Sequence, residues 1–336
     1  MQKNPTIVFK EPKKAVIEER EMPEPGPGQV LIKTACTLIS TGTELTILEA
    51  DYPEGSFWEE YGALPFDPGY DNIGEVVEVG PGVDTGLVGT KAATYGQHAQ
   101  YVVRDAEEIR PIHRDIADDH AVFFTIAEIV MNGIRRPHVT WGESVAVYGL
   151  GVLGQLTVQF CRLCGAMPVF GIDLSDHRLG LLPKDSAVVP VNAASQDVVS
   201  VVEKATKGRM ADVVIELTGL GKLIEKQFEI LRRQGRYVVL SSPRGKTSFD
   251  FHDWCNRPSY TIYGVHNLSH PPVETFDMPW TNHRHAELFF DLVADGKLEI
   301  EPLISHRVRY TDALAMYDML MKDRGQAMTV ILDWST

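Results

Sequence analysis

The chain has 336 residues, 44% of them hydrophobic, and its length corresponds to about two domains. A net charge of −14 excludes nucleic-acid binding through a basic surface, and no apolar run approaches the ~20 residues that would span a bilayer. We expect a cytosolic protein, because the N-terminus lacks the apolar stretch of a secretory signal. The four cysteines argue against a disulfide framework, and their spacing argues against a structural zinc lobe.

Three regions follow one another along the chain. Residues 1–122 contain short β-branched runs broken by Pro and Gly, which predict a barrel-like all-β unit. Residues 123–266 alternate apolar runs with helical stretches at 195–206 and 223–233, which indicates βαβ units around a parallel sheet. Six strands, as a complete dinucleotide-binding sheet requires, are predicted at 144–148, 168–172, 187–191, 212–217, 236–240 and 260–265.

The last region, 267–336, returns to Pro- and aromatic-rich sequence. It then carries predicted helices at 286–295 and 311–322 and a closing strand at 327–334. We therefore predict an α/β protein in which a doubly wound, Rossmann-type domain is inserted into a catalytic domain formed by the first and last regions.

A glycine-rich turn follows the first strand of the predicted sheet. Residues 149–154 read GLGVLG, fit the pattern G-x-G-x-x-G, and precede a stretch with helical periodicity. The first glycine permits the tight turn, the second lets a pyrophosphate approach the backbone, and the third lets the helix pack close to the strand. The helix N-terminus attracts phosphate. The predicted phosphate-binding residues are Gly149, Gly151, Val152, Leu153 and Gly154.

The next predicted strand ends at Asp173, 24 residues after Gly149. An acidic residue at this place accepts hydrogen bonds from the adenosine ribose hydroxyls. The carboxylate would repel a 2′-phosphate by about 4 kcal/mol per unit charge at ~4 Å and an effective dielectric of ~20, so the sequence favours NAD over NADP. Arg178 is a second predicted cofactor residue, and the alternative is that it binds a 2′-phosphate.

Other predicted cofactor residues follow later strands of the sheet, since ligands of doubly wound sheets bind at the carboxyl ends of the strands. They are Thr218, Gly219, Ser241, Ser242, His266 and Asn267.

Several segments resemble the medium-chain dehydrogenase/reductase superfamily, and together they extend over nearly the whole chain. Residues 39–44 (ISTGTE) look like its Cys-Gly-Thr-Asp segment, 68–80 (PGYDNIGEVVEVG) like its Gly-His-Glu segment, and 96–103 (GQHAQYVV) like the strand that ends its first catalytic half. The resemblance implies a GroES-like catalytic domain and a homodimer. More narrowly, STGTE, PGY and the ending VILDW are similar to the bacteriochlorophyllide-a-dehydrogenase-like subgroup.

The chain departs from this family at the zinc site. The resemblance implies zinc ligands near Ser40 or Thr41, at Tyr70 and near Thr125, yet zinc prefers Cys, His or carboxylate. We therefore expect no zinc, and His98 is expected to be a satisfied or surface histidine.

Without zinc, a hydrogen-bond donor has to polarise the substrate oxygen. Tyr70 is the first candidate, with Asp71 tuning it, and Thr43, which matches the family's proton-relaying hydroxyl, is the second. The alternatives are that Tyr70 only packs, that Asp71 is a turn acceptor, and that Thr43 and Glu44 only cap a helix.

The residues expected to contact the substrate are Thr41, Glu44, Trp58 and Trp280. Aromatic residues in these segments indicate a roomy, partly apolar pocket.

The sequence thus predicts an NAD-dependent, zinc-independent oxidoreductase that interconverts a bulky secondary alcohol and its ketone. A first alternative is a zinc-free quinone or enoyl reductase. Those relatives mostly use NADPH, so Asp173 counts against this alternative. A second is a non-enzymatic relative that has kept the nucleotide.

Overall fold

The structure, a computed structural model, describes residues 3–335. The chain divides into two compact units: one includes the residues up to Thr125 and those from His283 onward, and the other is Ile126–Asn282. None of the described helices is long and apolar enough to cross a membrane.

The first part of the chain is mainly β-structure. Its strands are β1 Lys3–Glu11, β2 Lys14–Glu21, β3 Gln29–Ile39, β4 Asn72–Val79, β5 Lys91–Thr94, β6 Tyr101–Asp105 and β7 Arg110–Pro111. Its helices are α1 Thr43–Leu48, α2 Phe57–Tyr61 and α3 Asp118–Ala121, and α4 Phe124–Arg135 follows them.

The middle unit contains a six-stranded parallel sheet. The strands are β8 Val145–Tyr148, β9 Val169–Asp173, β10 Val188–Asn192, β11 Ala211–Glu216, β12 Leu231–Val239 and β13 Thr261–Gly264. The connecting helices are α5 Val152–Leu163, α6 Asp176–Gly180, α7 Val198–Ala205 and α8 Ile224–Gln227. The strand order β10-β9-β8-β11-β12-β13 is that of a dinucleotide-binding sheet, so the predicted Rossmann-type fold is confirmed.

One predicted helix, 223–233, is shorter than its periodicity indicates. α8 ends at Gln227, and β12 already begins at Leu231, because Leu231 pairs with Ala211 across a register shift. The shift includes Gln234, whose φ of 59° interrupts regular strand geometry.

The last part of the chain contributes α9 Asn282–Ala294, β14 His306–Arg309, α10 Ala313–Lys322 and β15 Val330–Asp333. Strands from both ends of the chain form one sheet in the order β14-β15-β3-β4-β5-β7, with β6 also paired to β3. Its core includes Phe9, Leu45, Tyr317 and Trp334, all fully buried.

The second boundary between the units lies after Asn282 rather than at the predicted residue 266. The reason is that residues after β13 interact with α4. Asn132 donates to the backbone oxygen of His266 at 3.2 Å and to the Ser269 hydroxyl at 2.9 Å, and Asn282 donates to Glu128. The first boundary, after Thr125, differs from the predicted residue 122 by three positions.

Candidate functional site

The glycine turn of the sheet unit has the backbone that the pattern predicts. Gly149 has a φ of +91°, which disfavours other residues, and a Cβ at Gly154 would lie 2.0 Å from the oxygen of Gly149. Gly151 is the N-cap of α5, and a Cβ there would meet open space. Val152 and Leu153 begin the helix, so their N–H groups belong to its positive end. The turn can receive a phosphate.

Asp173 ends β9 and is bonded to the glycine turn itself. Its Oδ2 accepts from the Leu150 N–H at 2.7 Å, and Oδ1 accepts from the N–H groups of Leu174 (2.7 Å) and Ser175 (2.9 Å). Arg178 Nη1 lies 3.7 Å from Oδ2. A carboxylate has about four acceptor positions, so one remains for a ribose hydroxyl. The sequence did not indicate that Asp173 also shapes the turn.

The residues that follow β11 and β12 lie beside one another because these strands are neighbours in the sheet. Thr218 and Gly219 follow β11, and Ser241 and Ser242 follow β12. A buried carboxylate that sequence analysis missed, Glu216, accepts hydrogen bonds from Thr218, Gly219 and Ser241. The signal available in the sequence was a carboxylate directly after the apolar run V-V-I of this strand.

The residues after β13 are held by local hydrogen bonds. His266 accepts from the Leu268 N–H through Nδ1 at 3.2 Å, and Asn267 Oδ1 lies 3.4 Å from Asn282 Nδ2.

The predicted substrate residue Trp280 packs against Arg135. The Cζ atom of the guanidinium lies 3.3 Å from the centroid of the Trp280 ring, so one face of this ring is covered.

In the unit that contains both chain ends, three hydroxyl groups come together. The Tyr70 hydroxyl is hydrogen-bonded to Ser40 Oγ and lies 3.4 Å from Thr43 Oγ1, and we call these three residues the hydroxyl cluster. Thr43 is the first residue of α1, and Tyr70 comes just before β4. Thr125 donates to the backbone oxygen of Tyr70 at 3.1 Å. Tertiary structure thus brings together three segments that are far apart in sequence.

The protonation state of Tyr70 follows from its surroundings. Burial raises the pKa of the phenol above its usual value of about 10, and the charge of Asp71 raises it further. Asp71 is fully buried, so it acts on Tyr70 through its charge rather than by touching a ligand. A phenol with a raised pKa stays protonated and can donate a hydrogen bond.

The predicted substrate contact of Glu44 is wrong. Its side chain is 1% exposed, because it accepts hydrogen bonds from the Ser40 N–H at 2.8 Å, from His98 Nε2 at 3.1 Å and from the Tyr317 hydroxyl. Glu44 therefore positions Ser40 and the start of α1. His98 is fully buried, with Nδ1 2.8 Å from Thr37 Oγ1.

The other two predicted substrate residues of this unit are more accessible. Thr41 is half-buried and lies next to the hydroxyl cluster in sequence. Trp58 is half-buried and packs against the core, with its ring 6.2 Å from that of Tyr61 in an edge-on arrangement.

The donor atoms at the positions where the resemblance implies zinc ligands do not suit zinc. Ser40, Thr41, Tyr70 and Thr125 offer neutral hydroxyls, whereas zinc prefers thiolate, imidazole and carboxylate. The buried imidazole of His98 has both ring nitrogens in hydrogen bonds. Among residues 3–335, no group of three His, Cys, Asp or Glu side chains is arranged to hold a metal ion.

Comparisons with known proteins agree with this architecture. A family model described as zinc-binding dehydrogenase matches residues 152–280. L-Threonine 3-dehydrogenase of Pyrococcus abyssi is 29% identical over 89% of this chain and 89% of its own. Galactitol-1-phosphate dehydrogenase of Escherichia coli has a similar structure, with a TM-score of 0.83 and 17% identity over 99% of this chain and 100% of its own.

A zinc-binding dehydrogenase of Sinorhizobium meliloti, solved with NADP, has a TM-score of 0.81 and 22% identity over 99% of this chain and 100% of its own. The structural neighbours have the predicted combination of GroES-like and Rossmann-type domains. The chain is thus similar over most of its length to proteins named as threonine and alcohol dehydrogenases, and it is an oxidoreductase of the alcohol dehydrogenase type.

Proposed function

We propose that this protein is an NAD(H)-dependent, zinc-independent oxidoreductase that interconverts a bulky secondary alcohol and its ketone. The observation that carries the proposal is the hydroxyl cluster of Ser40, Thr43 and Tyr70. The family resemblance implies zinc ligands near Ser40 and at Tyr70, and a proton-relaying hydroxyl at Thr43. The proposed substrate is a cyclic polyol, a pigment or a secondary metabolite. The narrower likeness to the bacteriochlorophyllide-a subgroup stays a prediction.

In the proposed reduction, the Tyr70 hydroxyl donates a hydrogen bond to the ketone oxygen and transfers its proton as the alcohol forms. The nicotinamide, when bound, supplies the hydride. Ser40 and Thr43 are both within reach of the Tyr70 oxygen and can return a proton to it. The raised pKa keeps Tyr70 in its acid form, which is the form that donates a hydrogen bond to the ketone oxygen in the reduction.

The proposed cofactor is NAD because Asp173 lies at the end of β9 with a free acceptor position and a charge that repels a 2′-phosphate. Arg178 Nη1 lies 3.7 Å from Asp173 Oδ2. This supports the same choice, because the guanidinium is then paired with the Asp173 carboxylate rather than with a 2′-phosphate. The proposed compartment is the cytosol, supported by free cysteines at positions 36, 161, 164 and 255.

Metal content and cofactor use test this proposal together. We expect elemental analysis of the purified protein to find far less than one zinc per chain. NADH should quench protein fluorescence at lower concentration than NADPH, and a panel of cyclic ketones should consume NADH at a rate that EDTA does not change. A stoichiometric, tightly bound zinc whose removal abolishes ketone reduction would overturn zinc independence, and tight binding of NADPH alone would overturn the cofactor assignment.

A homodimer is proposed through β13, the last strand of the sheet order. Ile262 on this strand is 38% exposed, and Leu268 and Phe276, which follow it, are 83% and 100% exposed. Exposed strand edges with apolar side chains pair readily with another chain. We expect sedimentation velocity to give a dimer at micromolar concentration and Ile262→Lys to give a monomer. A monomeric parent protein, or a dimeric variant, would contradict this interface.

A further inference from the structure

Glu216, the last residue of β11, is a fully buried carboxylate that the proposed mechanism does not use. Its Oε1 accepts from the backbone N–H groups of Thr218 at 2.7 Å and Gly219 at 3.1 Å, and also from the Thr218 hydroxyl. Its Oε2 accepts from the Ser241 hydroxyl at the end of β12. One side chain therefore joins the carboxyl ends of two neighbouring strands.

The backbone of Glu216 makes the same connection. Its carbonyl oxygen accepts from the N–H groups of Leu240 at 3.2 Å and Ser241 at 3.0 Å. These bonds extend the pairing of β11 with β12 beyond the last strand residue, Val239. Both neighbouring turns are therefore anchored to a single residue.

The turn that Glu216 holds also supports the glycine turn. A Cβ placed on Gly149 would lie 2.9 Å from the carbonyl carbon and oxygen of Leu217 and 3.0 Å from the nitrogen of Thr218. The first glycine of the predicted phosphate-binding turn therefore rests directly on the peptide between residues 217 and 218. A shift of this peptide would be passed to Gly149.

We infer that Glu216 is a positioning residue for the dinucleotide site: it holds the 217–219 turn and the end of β12 so that the glycine turn keeps its phosphate-binding conformation. Glu216 does this without touching the cofactor. This inference rests on the proposed dinucleotide binding.

The physical basis is the strength of hydrogen bonds to a charged acceptor. Such bonds are stronger than hydrogen bonds between neutral groups. Glutamine keeps the size of the side chain but replaces one acceptor oxygen by an NH2 group, which must face donors of the turn. We expect Glu216→Gln to raise the Kd of NADH about tenfold, which corresponds to about 1.4 kcal/mol of binding free energy.

Asp212 lies near the amino end of β11, whereas Glu216 is its last residue, and it therefore offers a matched control. Its Oδ2 accepts from the N–H and the hydroxyl of Ser144, both at 2.8 Å, and it forms an ion pair with Arg232. Asp212→Asn therefore weakens a comparable carboxylate network at the amino end of the strand, away from the glycine turn. A purely structural effect would appear in both variants.

The experiment titrates NADH into the parent protein, Glu216→Gln and Asp212→Asn, with fluorescence as the readout, and records the melting temperature of each. Weaker binding by Glu216→Gln alone, at a similar loss of melting temperature in both variants, supports the inference. Equal binding by Glu216→Gln and the parent, or an equal loss in both variants, overturns it. If the parent itself fails to bind NADH, the proposed function is the part that fails.

If Glu216→Gln does not fold, hydrogen exchange on the unaltered protein tests the inference instead. The amide hydrogens of Thr218 and Gly219 donate to Glu216, so we expect them to exchange much more slowly than in an unstructured peptide, even without cofactor. Exchange at the unstructured rate would show that the carboxylate does not hold this turn, and the inference would be abandoned.

Discussion

Replacing Tyr70 with phenylalanine is expected to lower the turnover number for ketone reduction by roughly 10²–10⁴, the usual contribution of a general acid. Phenylalanine keeps the ring that packs beside Ser40 and Thr43 but removes the hydroxyl that both contact. The measurement is steady-state oxidation of NADH with a ketone that the parent protein reduces. We expect kcat to fall while the Kd of NADH, determined by fluorescence, stays the same.

Two further measurements separate proton donation from packing. Thr43→Val should lower turnover less than Tyr70→Phe, because Ser40 still contacts the phenol. Since the pKa of Tyr70 is raised, its acid form persists at high pH, and the rate of reduction should not decline as pH rises through about 10. A Tyr70→Phe variant with normal kcat would show that the proton comes from Thr43 or from water.

Replacing Asp173 with alanine is expected to relax the preference for NADH over NADPH by about 100-fold. The Coulomb repulsion of about 4 kcal/mol per unit charge at ~4 Å and a dielectric of ~20 corresponds to about 10³ for each unit charge of the phosphate, and solvent and salt at the site reduce it. The removal of the carboxylate also leaves Arg178, now 3.7 Å from it, available to a 2′-phosphate. The measurement compares the Kd values of NADH and NADPH for parent and variant.

Asp173 also accepts hydrogen bonds from the backbone of Leu150, Leu174 and Ser175, so alanine is expected to weaken binding of both cofactors. The ratio of the two Kd values removes this shared loss. A second variant, Asp173→Ala with Arg178→Ala, should lose most of the gained NADPH affinity. An unchanged ratio in Asp173→Ala would exclude the carboxylate as the origin of cofactor preference.

Local sequence was sufficient to predict the sheet unit. Strand periodicity and the glycines at 149, 151 and 154 act through the backbone of neighbouring residues, and the structure has the corresponding strand–turn–helix from Val145 to Leu163. The hydroxyl residues at the positions where the family resemblance implies zinc ligands could also be read from sequence, because they concern the identity of side chains rather than their contacts.

Burial and long-range contacts decided the rest. Glu44 is next to Thr43 in sequence, yet its carboxylate is enclosed by His98 and Tyr317, which are 54 and 273 residues away. The role of Glu216 likewise depends on β12 lying beside β11, so that Ser241 reaches its carboxylate. Sequence alone determined which residues could donate, accept or turn the chain. Tertiary structure decided which of them are enclosed and bonded within the protein, because a buried carboxylate is satisfied by whichever donors the fold brings to it.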